Sequence, residues 1–117
     1  MTKNLFLTLL YSICWNFLFA QTTVIDSLRE LLEQDGNNFT NPGLYREIGV
    51  QYYRQGNIDT AAYYFSQGYI KATNKNSDYW SCKAAIQLGS FYTALTSFDS
   101  AAKYLDIGFD LLQKNKN

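Results

Sequence analysis

The chain has 117 residues, room for one domain of ordinary size, and its ten Lys and Arg balance ten Asp and Glu. Zero net charge leaves no cationic footprint for nucleic acid or an anionic membrane surface, and the absence of histidine removes the commonest general base and metal ligand. Neither enzyme chemistry nor a cofactor or metal is expected, while 47% hydrophobic and 17% aromatic residues exclude a disordered chain.

The first twenty residues, MTKNLFLTLLYSICWNFLFA, read as an export signal. Lys3 supplies the positive start, Leu5 to Ile13 the apolar core, and Ala20 the small residue before a cut that leaves Gln21 as the new terminus. Leu18 is larger than the residue usual two places before the cut. The competing reading is an uncleaved membrane anchor, but Leu5 to Ala20 falls short of the ~20 residues that span a bilayer, and Asn16 interrupts it. A lipid anchor at Cys14 is disfavoured by Tyr11, Ser12 and Ile13 before it. Export places the mature chain in the periplasm or elsewhere outside a bacterial cytoplasm. Cys14 leaves with the signal, so Cys82 is then the single thiol and no internal disulfide forms. With no histidine to activate it, Cys82 reads as a half-buried helix residue.

Residues 22–35 carry Val24, Ile25, Leu28, Leu31 and Leu32 at helical spacing, with Arg29, Glu30 and Glu33 opposite. This predicts a leading amphipathic helix, capped by Thr22 or Thr23 and ended at Gly36. The connection DGNNFTNP follows, with Asn41 as the cap and Pro42 as the first residue of the next helix.

A period of forty residues then emerges. Ile48 aligns with Leu88, Gly49 with Gly89, Tyr52 with Tyr92, Ile58 with Phe98, Asp59 with Asp99, and Ala61-Ala62 with Ala101-Ala102. Further on, Tyr64 matches Tyr104, Phe65 matches Leu105, Gly68 matches Gly108 and Tyr69 matches Phe109. Agreement in residue size at constant offset marks a repeated supersecondary unit. Each unit reads as two helices, Pro42 to Arg54 then Asp59 to Ala72, and Asp78 to Ala94 then Ser100 to Gln113. Gln55-Gly56-Asn57 and Thr96-Ser97 supply the tight turns. Glycine inside a helix costs about 1 kcal/mol relative to alanine, so it persists where helices approach closely. Gly49 and Ala61 are expected to admit Tyr52 and Phe65, and Gly89 and Ala101 to admit Tyr92 and Leu105.

These residues resemble the tetratricopeptide repeat. The family's succession of large residue, Leu-Gly, Tyr, Gly, Ala, Phe and Ala falls on Tyr45, Ile48-Gly49, Tyr52, Gly56, Ala61, Phe65 and Gly68. The second copy runs Ala85, Leu88-Gly89, Tyr92, Thr96, Ala101, Leu105 and Gly108. It departs at Ala85, small for its place, at Thr96 in place of the turn glycine, at Thr73 and Gln113 where proline is common, and in a spacing of forty instead of 34. The resemblance implies an all-α fold, an α-solenoid of antiparallel helix pairs. Its parts would be the signal 1–20, the leading helix 22–35, and repeats over 41–75 and 77–117.

The resemblance also implies a binding groove lined by the first helix of each pair. Carried onto this sequence, its positions are Arg46, Val50, Tyr53 and Arg54, then Lys83, Ile86, Gln87, Ser90 and Thr93. Arg46, Arg54 and Lys83 are cations suited to a peptide carboxylate, and Tyr53 could stack on its side chains. Members that clamp carboxylates carry Asn where Val50 and Gln87 stand, and the same charges also suit a merely solvated face. Two repeats are few for such an array. Leu105, Phe109 and Leu112 are therefore expected to lack a lid, which implies self-association there or a place at the front of a longer sensor.

Weaker constellations are Asp106 with Asp110, read as a solvated helix face, and Asn38-Phe39-Thr40, an N-glycosylation acceptor pattern. Asp26-Ser27-Leu28, Asp59-Thr60-Ala61 and Asp99-Ser100-Ala101 resemble an O-glycosylation motif, although helix capping accounts for the last two. The leading functional expectation is an extracytoplasmic module that holds a partner protein or peptide, with no nucleic acid. Next is the sensory front end of a membrane signalling protein, a histidine kinase or helix-turn-helix regulator. An enzyme comes last.

Overall fold

The computed structural model describes residues 2–116. They form five α-helices and no strand: α1 Thr2–Asp35, α2 Gly43–Arg54, α3 Ile58–Asn74, α4 Asp78–Ala94 and α5 Phe98–Lys116. The all-α class expected from the periodicity is therefore correct. Each helix packs chiefly on its neighbours in sequence: α1 on α2, α2 on α3, α3 on α4 and α4 on α5.

The last three connections are one device used three times. At 55–57 the N–H of Gly56 donates to Tyr53 O and that of Asn57 to Tyr52 O, both at 2.9 Å. At 75–77 Asn76 donates to Thr73 O and Ser77 to Ala72 O, and at 95–97 Thr96 donates to Thr93 O and Ser97 to Tyr92 O. This is a left-handed helix stop, in which two backbone N–H groups satisfy carbonyls left open at the helix end. Its central residue has φ of 80° at Gly56, 53° at Asn76 and 58° at Thr96. The residue after it opens the next helix: the side chain of Asn57 accepts from Thr60 N–H, and that of Ser77 from Trp80 N–H. The stop recurs every twenty residues, half the period seen in the side chains.

Within each pair the small residues meet large ones. A β-carbon on Gly49 would lie 2.5 Å from the Phe65 ring, and one on Gly89 2.6 Å from Leu105. Phe65 thus fills the gap at Gly49 as expected, and Tyr52 packs against the core cluster that contains Phe65 and Ala61. Tyr52 stacks on Tyr64 with ring centres 5.6 Å apart, and Tyr92 on Tyr104 at 5.7 Å. Ile48 and Leu88 are fully buried, and Ala61, Phe65, Leu88 and Phe91 form the centre of the core.

The N-terminal part differs from expectation. Signal-like residues and leading helix form one uninterrupted rod of 34 residues, about 50 Å long at 1.5 Å per residue. Residues 2–20 are exposed throughout. With the chain already helical at Thr22 and Thr23, no free N–H awaits a cap, and their hydroxyls donate back to Leu18 O and Phe19 O. The apolar stripe is also narrower than expected. Ile25 is buried and Leu28 and Leu32 are half-buried, whereas Val24 and Leu31 are exposed. Helix α2 is the chief neighbour of this stretch, and one helix covers only one strip of another.

Helix α2 starts at Gly43, with Pro42 already helical at φ −61° and no side-chain cap in place of the one expected from Asn41. The loop before it is organised by Asp35, whose carboxylate accepts from the Thr40 N–H at 3.0 Å and from the Thr40 hydroxyl.

Candidate functional site

Helices α2 and α4 stand on the same side of α3 without packing closely on each other, and a groove of about 600 Å³ opens between them. Its floor comes from Tyr45, Phe65 and Gly68. Gly68 is essential to that floor: a β-carbon there would stand 3.0 Å from Tyr45 Cβ, so its absence lets α3 approach α2. One wall is Arg46 and Glu47 on α2. The other is Trp80, Lys83, Ala84, Ile86, Gln87 and Ser90 on α4, with Phe39 and Pro42 at one end.

Two polar features cross or rim this groove. Arg46 Nε donates to Gln87 Oε1 at 3.1 Å, tying one wall to the other, and its Nη1 pairs with Glu47 Oε1 at 2.7 Å. Lys83 Nζ lies 5.0 Å from the centre of the Tyr79 ring and 5.3 Å from that of Trp80. Such stacking holds a cation by the ring quadrupole and leaves its N–H donors free. Among the described residues the ion pairs are Arg46 with Glu47 and Lys114 with Asp78, so Lys83 has no carboxylate partner there. The rim therefore combines one neutralised cation and one un-neutralised cation above an apolar floor.

Five of the residues expected on the groove face meet there: Arg46, Lys83, Ile86, Gln87 and Ser90. The others lie elsewhere. Val50 is half-buried against the core, Tyr53 packs edge-on against Phe91 at 5.9 Å, and Arg54 is exposed in the last turn of α2. The Thr93 hydroxyl donates to Gly89 O within its own helix at 2.8 Å. Tyr53 and Phe91 meet between α2 and α4 at that end, and neither lines the groove. Trp80, Glu47, Tyr45 and Phe39 were missed by sequence reasoning; Trp80 three residues before Lys83, one helical turn away, is the signal that could have found the first.

Burial raises the Tyr45 hydroxyl above its ordinary pKa, and the nearby Asp35 charge adds to this. Asp35 itself is lowered, first by the Thr40 hydroxyl and then by backbone N–H groups of Thr40 and Asn41, against an opposing effect of burial. Burial also raises Tyr64, with the Arg29 charge pulling back.

The remaining sequence features resolve as follows. Cys82 is buried, deeper than the half-burial expected, with its Sγ 3.4 Å from Gly108 O, because Gly108 lets α5 close over it. Asp110 borders a second cavity of about 470 Å³ with Asp78, Ser81 and Lys114; Asp106 does not. In the Asn38-Phe39-Thr40 pattern, Asn38 is exposed and the Thr40 hydroxyl is engaged by Asp35. Comparison with protein-family models, with curated proteins and with solved structures found no match.

Proposed function

We propose that the chain is a helical-repeat module of the tetratricopeptide kind, exported from a bacterial cytoplasm, that holds a protein or peptide partner in the groove between α2 and α4. The observation that carries this reading is the groove itself, an apolar floor of Tyr45 and Phe65 beneath Arg46 and Lys83, the latter without a carboxylate partner among the described residues. An extended segment presenting a carboxylate to Lys83 and a side chain to the floor matches both features. The apolar, exposed residues 5–19 at the start of α1 support export, since α1 is long and apolar enough either to cross a membrane or to serve as a signal.

The test is affinity capture from the exporting cell, followed by titration of the captured partner against the Arg46→Ala, Lys83→Ala double variant. Binding weakened by at least about tenfold, near 1.4 kcal/mol, supports the reading. Binding that survives both changes removes it.

A second reading, the sensory front end of a membrane signalling protein, is favoured by one feature. The apolar stretch and the packed part of α1 are a single helix without a break, a direct mechanical link between a membrane and the groove. The reading frame beyond Asn117 discriminates it: a kinase or helix-turn-helix region there supports it, and a stop codon rejects it.

A further inference from the structure

Helix α5 carries a row, Phe98, Ala102, Leu105, Phe109 and Leu112, spaced by four, three, four and three residues and exposed at every place but Leu105, which is half-buried beside Gly89 of α4. Phe98 is 66% exposed, Phe109 62% and Leu112 44%, an apolar seam of coiled-coil spacing left open on one side. Forty residues earlier the same row is Ile58, Ala62, Phe65, Tyr69 and Ala72 on α3. There it is covered, because Ile58, Ala62, Phe65 and Tyr69 belong to the core that Leu88 and Phe91 of α4 complete. The molecule thus contains a worked example of what this surface takes: another helix.

We propose that the helix which covers it is α5 of a second copy of this chain, laid antiparallel about a two-fold axis near Leu105. The row is complementary to itself in that arrangement. Phe98 meets Leu112 of the second copy, Leu105 meets its equivalent, and small Ala102 receives large Phe109. The charges agree as well. The first turn of α5 bears Asp99 and the last turn bears Lys114 and Lys116, so each acidic start lies beside a basic end. Lys114, which now reaches Asp78 at 3.3 Å, lies at that end with Lys116. Near the axis, Lys103 of each helix falls beside Asp106 of the other, which offsets the repulsion between the two Asp106 carboxylates.

Disulfide mapping of the full chain in mild detergent tests this, in a Cys14→Ser, Cys82→Ala background whose helicity is checked by circular dichroism. Chains carrying Ala102→Cys are mixed with chains carrying Phe109→Cys under mild oxidation, and exposed Tyr63→Cys on α3 serves as the control. The mixed 102–109 disulfide should form roughly ten times faster than either like-with-like disulfide or the control, because equal positions lie about 10 Å apart along the axis. Like-with-like bonds at equal speed, or no product above the control, overturn the proposal, as does a foreign protein trapped at Phe109→Cys in place of a second copy. In sedimentation, Phe109→Glu should shift the species from dimer to monomer with helicity retained. A dimer that persists in that variant also overturns it.

Discussion

Gly49 and Gly89 occupy equivalent places, and at each a side chain of the next helix fills the space a β-carbon would take. A β-carbon on Gly49 would meet a Phe65 ring fixed between α2 and Phe91 of α4, whose ring centre is 5.2 Å away. At Gly89 it would meet Leu105 at both Cδ2 and the branch carbon Cγ, each 2.6 Å away, with Ala101 O at 3.4 Å. Overpacking costs about 1–3 kcal/mol, and alanine returns about 1 kcal/mol of helix propensity. Gly49→Ala and Gly89→Ala should therefore each lower stability by about 1 kcal/mol, as read by urea denaturation. Thr96 presents the opposite case. It holds φ of 58°, which a β-branched residue adopts at a cost, where Gly56 sits in the matching turn. Thr96→Gly should raise stability by about 1 kcal/mol in the same assay, and an unchanged midpoint would show that the turn is already relaxed.

Asp35 couples the residue scale to pH. Its carboxylate is lowered below 3.8, so its contribution is complete above that value and is lost as pH falls through the folded pKa. Asp35→Asn should remove that part of the acid transition and loosen the loop that carries Phe39 into the groove, visible as faster amide exchange at Thr40.

Among the helices, α2 to α5 were legible because side-chain period and the turn residues at 55–57 and 96–97 agree, whereas the stop at 75–77 was not foreseen and the capping read at Asp59 falls to Asn57, with Asp59 inside the first turn of α3. What escaped was which part of an apolar stripe would be covered. Val24 and Leu31 have the right spacing, but spacing says nothing of how many neighbours a helix has. The uninterrupted α1 escaped for a different reason, since the export-signal reading set residues 1–20 apart from the helix that follows. In the groove, the resemblance's register pointed to Arg46, Lys83, Ile86, Gln87 and Ser90, but not to the Tyr53–Phe91 contact, because that depends on two helices at once. Tyr45 and Tyr64 report on this packing. Both have raised pKa values from burial, so the fold keeps their contribution below pH 10.0 and loses it as pH rises through the raised values. Alkaline unfolding should therefore begin as these phenols ionise, and Tyr64→Phe should move it to higher pH, followed by circular dichroism against tyrosinate absorbance.

At the scale of the molecule, neighbours in sequence are neighbours in space, and the dimensions of 69 × 35 × 22 Å reflect a row of helices with one rod projecting from it. Contacts of this local kind favour fast folding and fraying from an end. Amide exchange should accordingly be slowest around Ile48, Phe65 and Leu88 and fastest in the exposed residues 2–20 of α1.

The three-residue stops leave the chain no slack. A single residue inserted after Gly56 or Asn76 would misplace the following helix by roughly 100° of rotation, and every seat beyond it would be lost together. The longer 36–42 segment can absorb the same insertion, so the rod before it tolerates indels that the row after it does not.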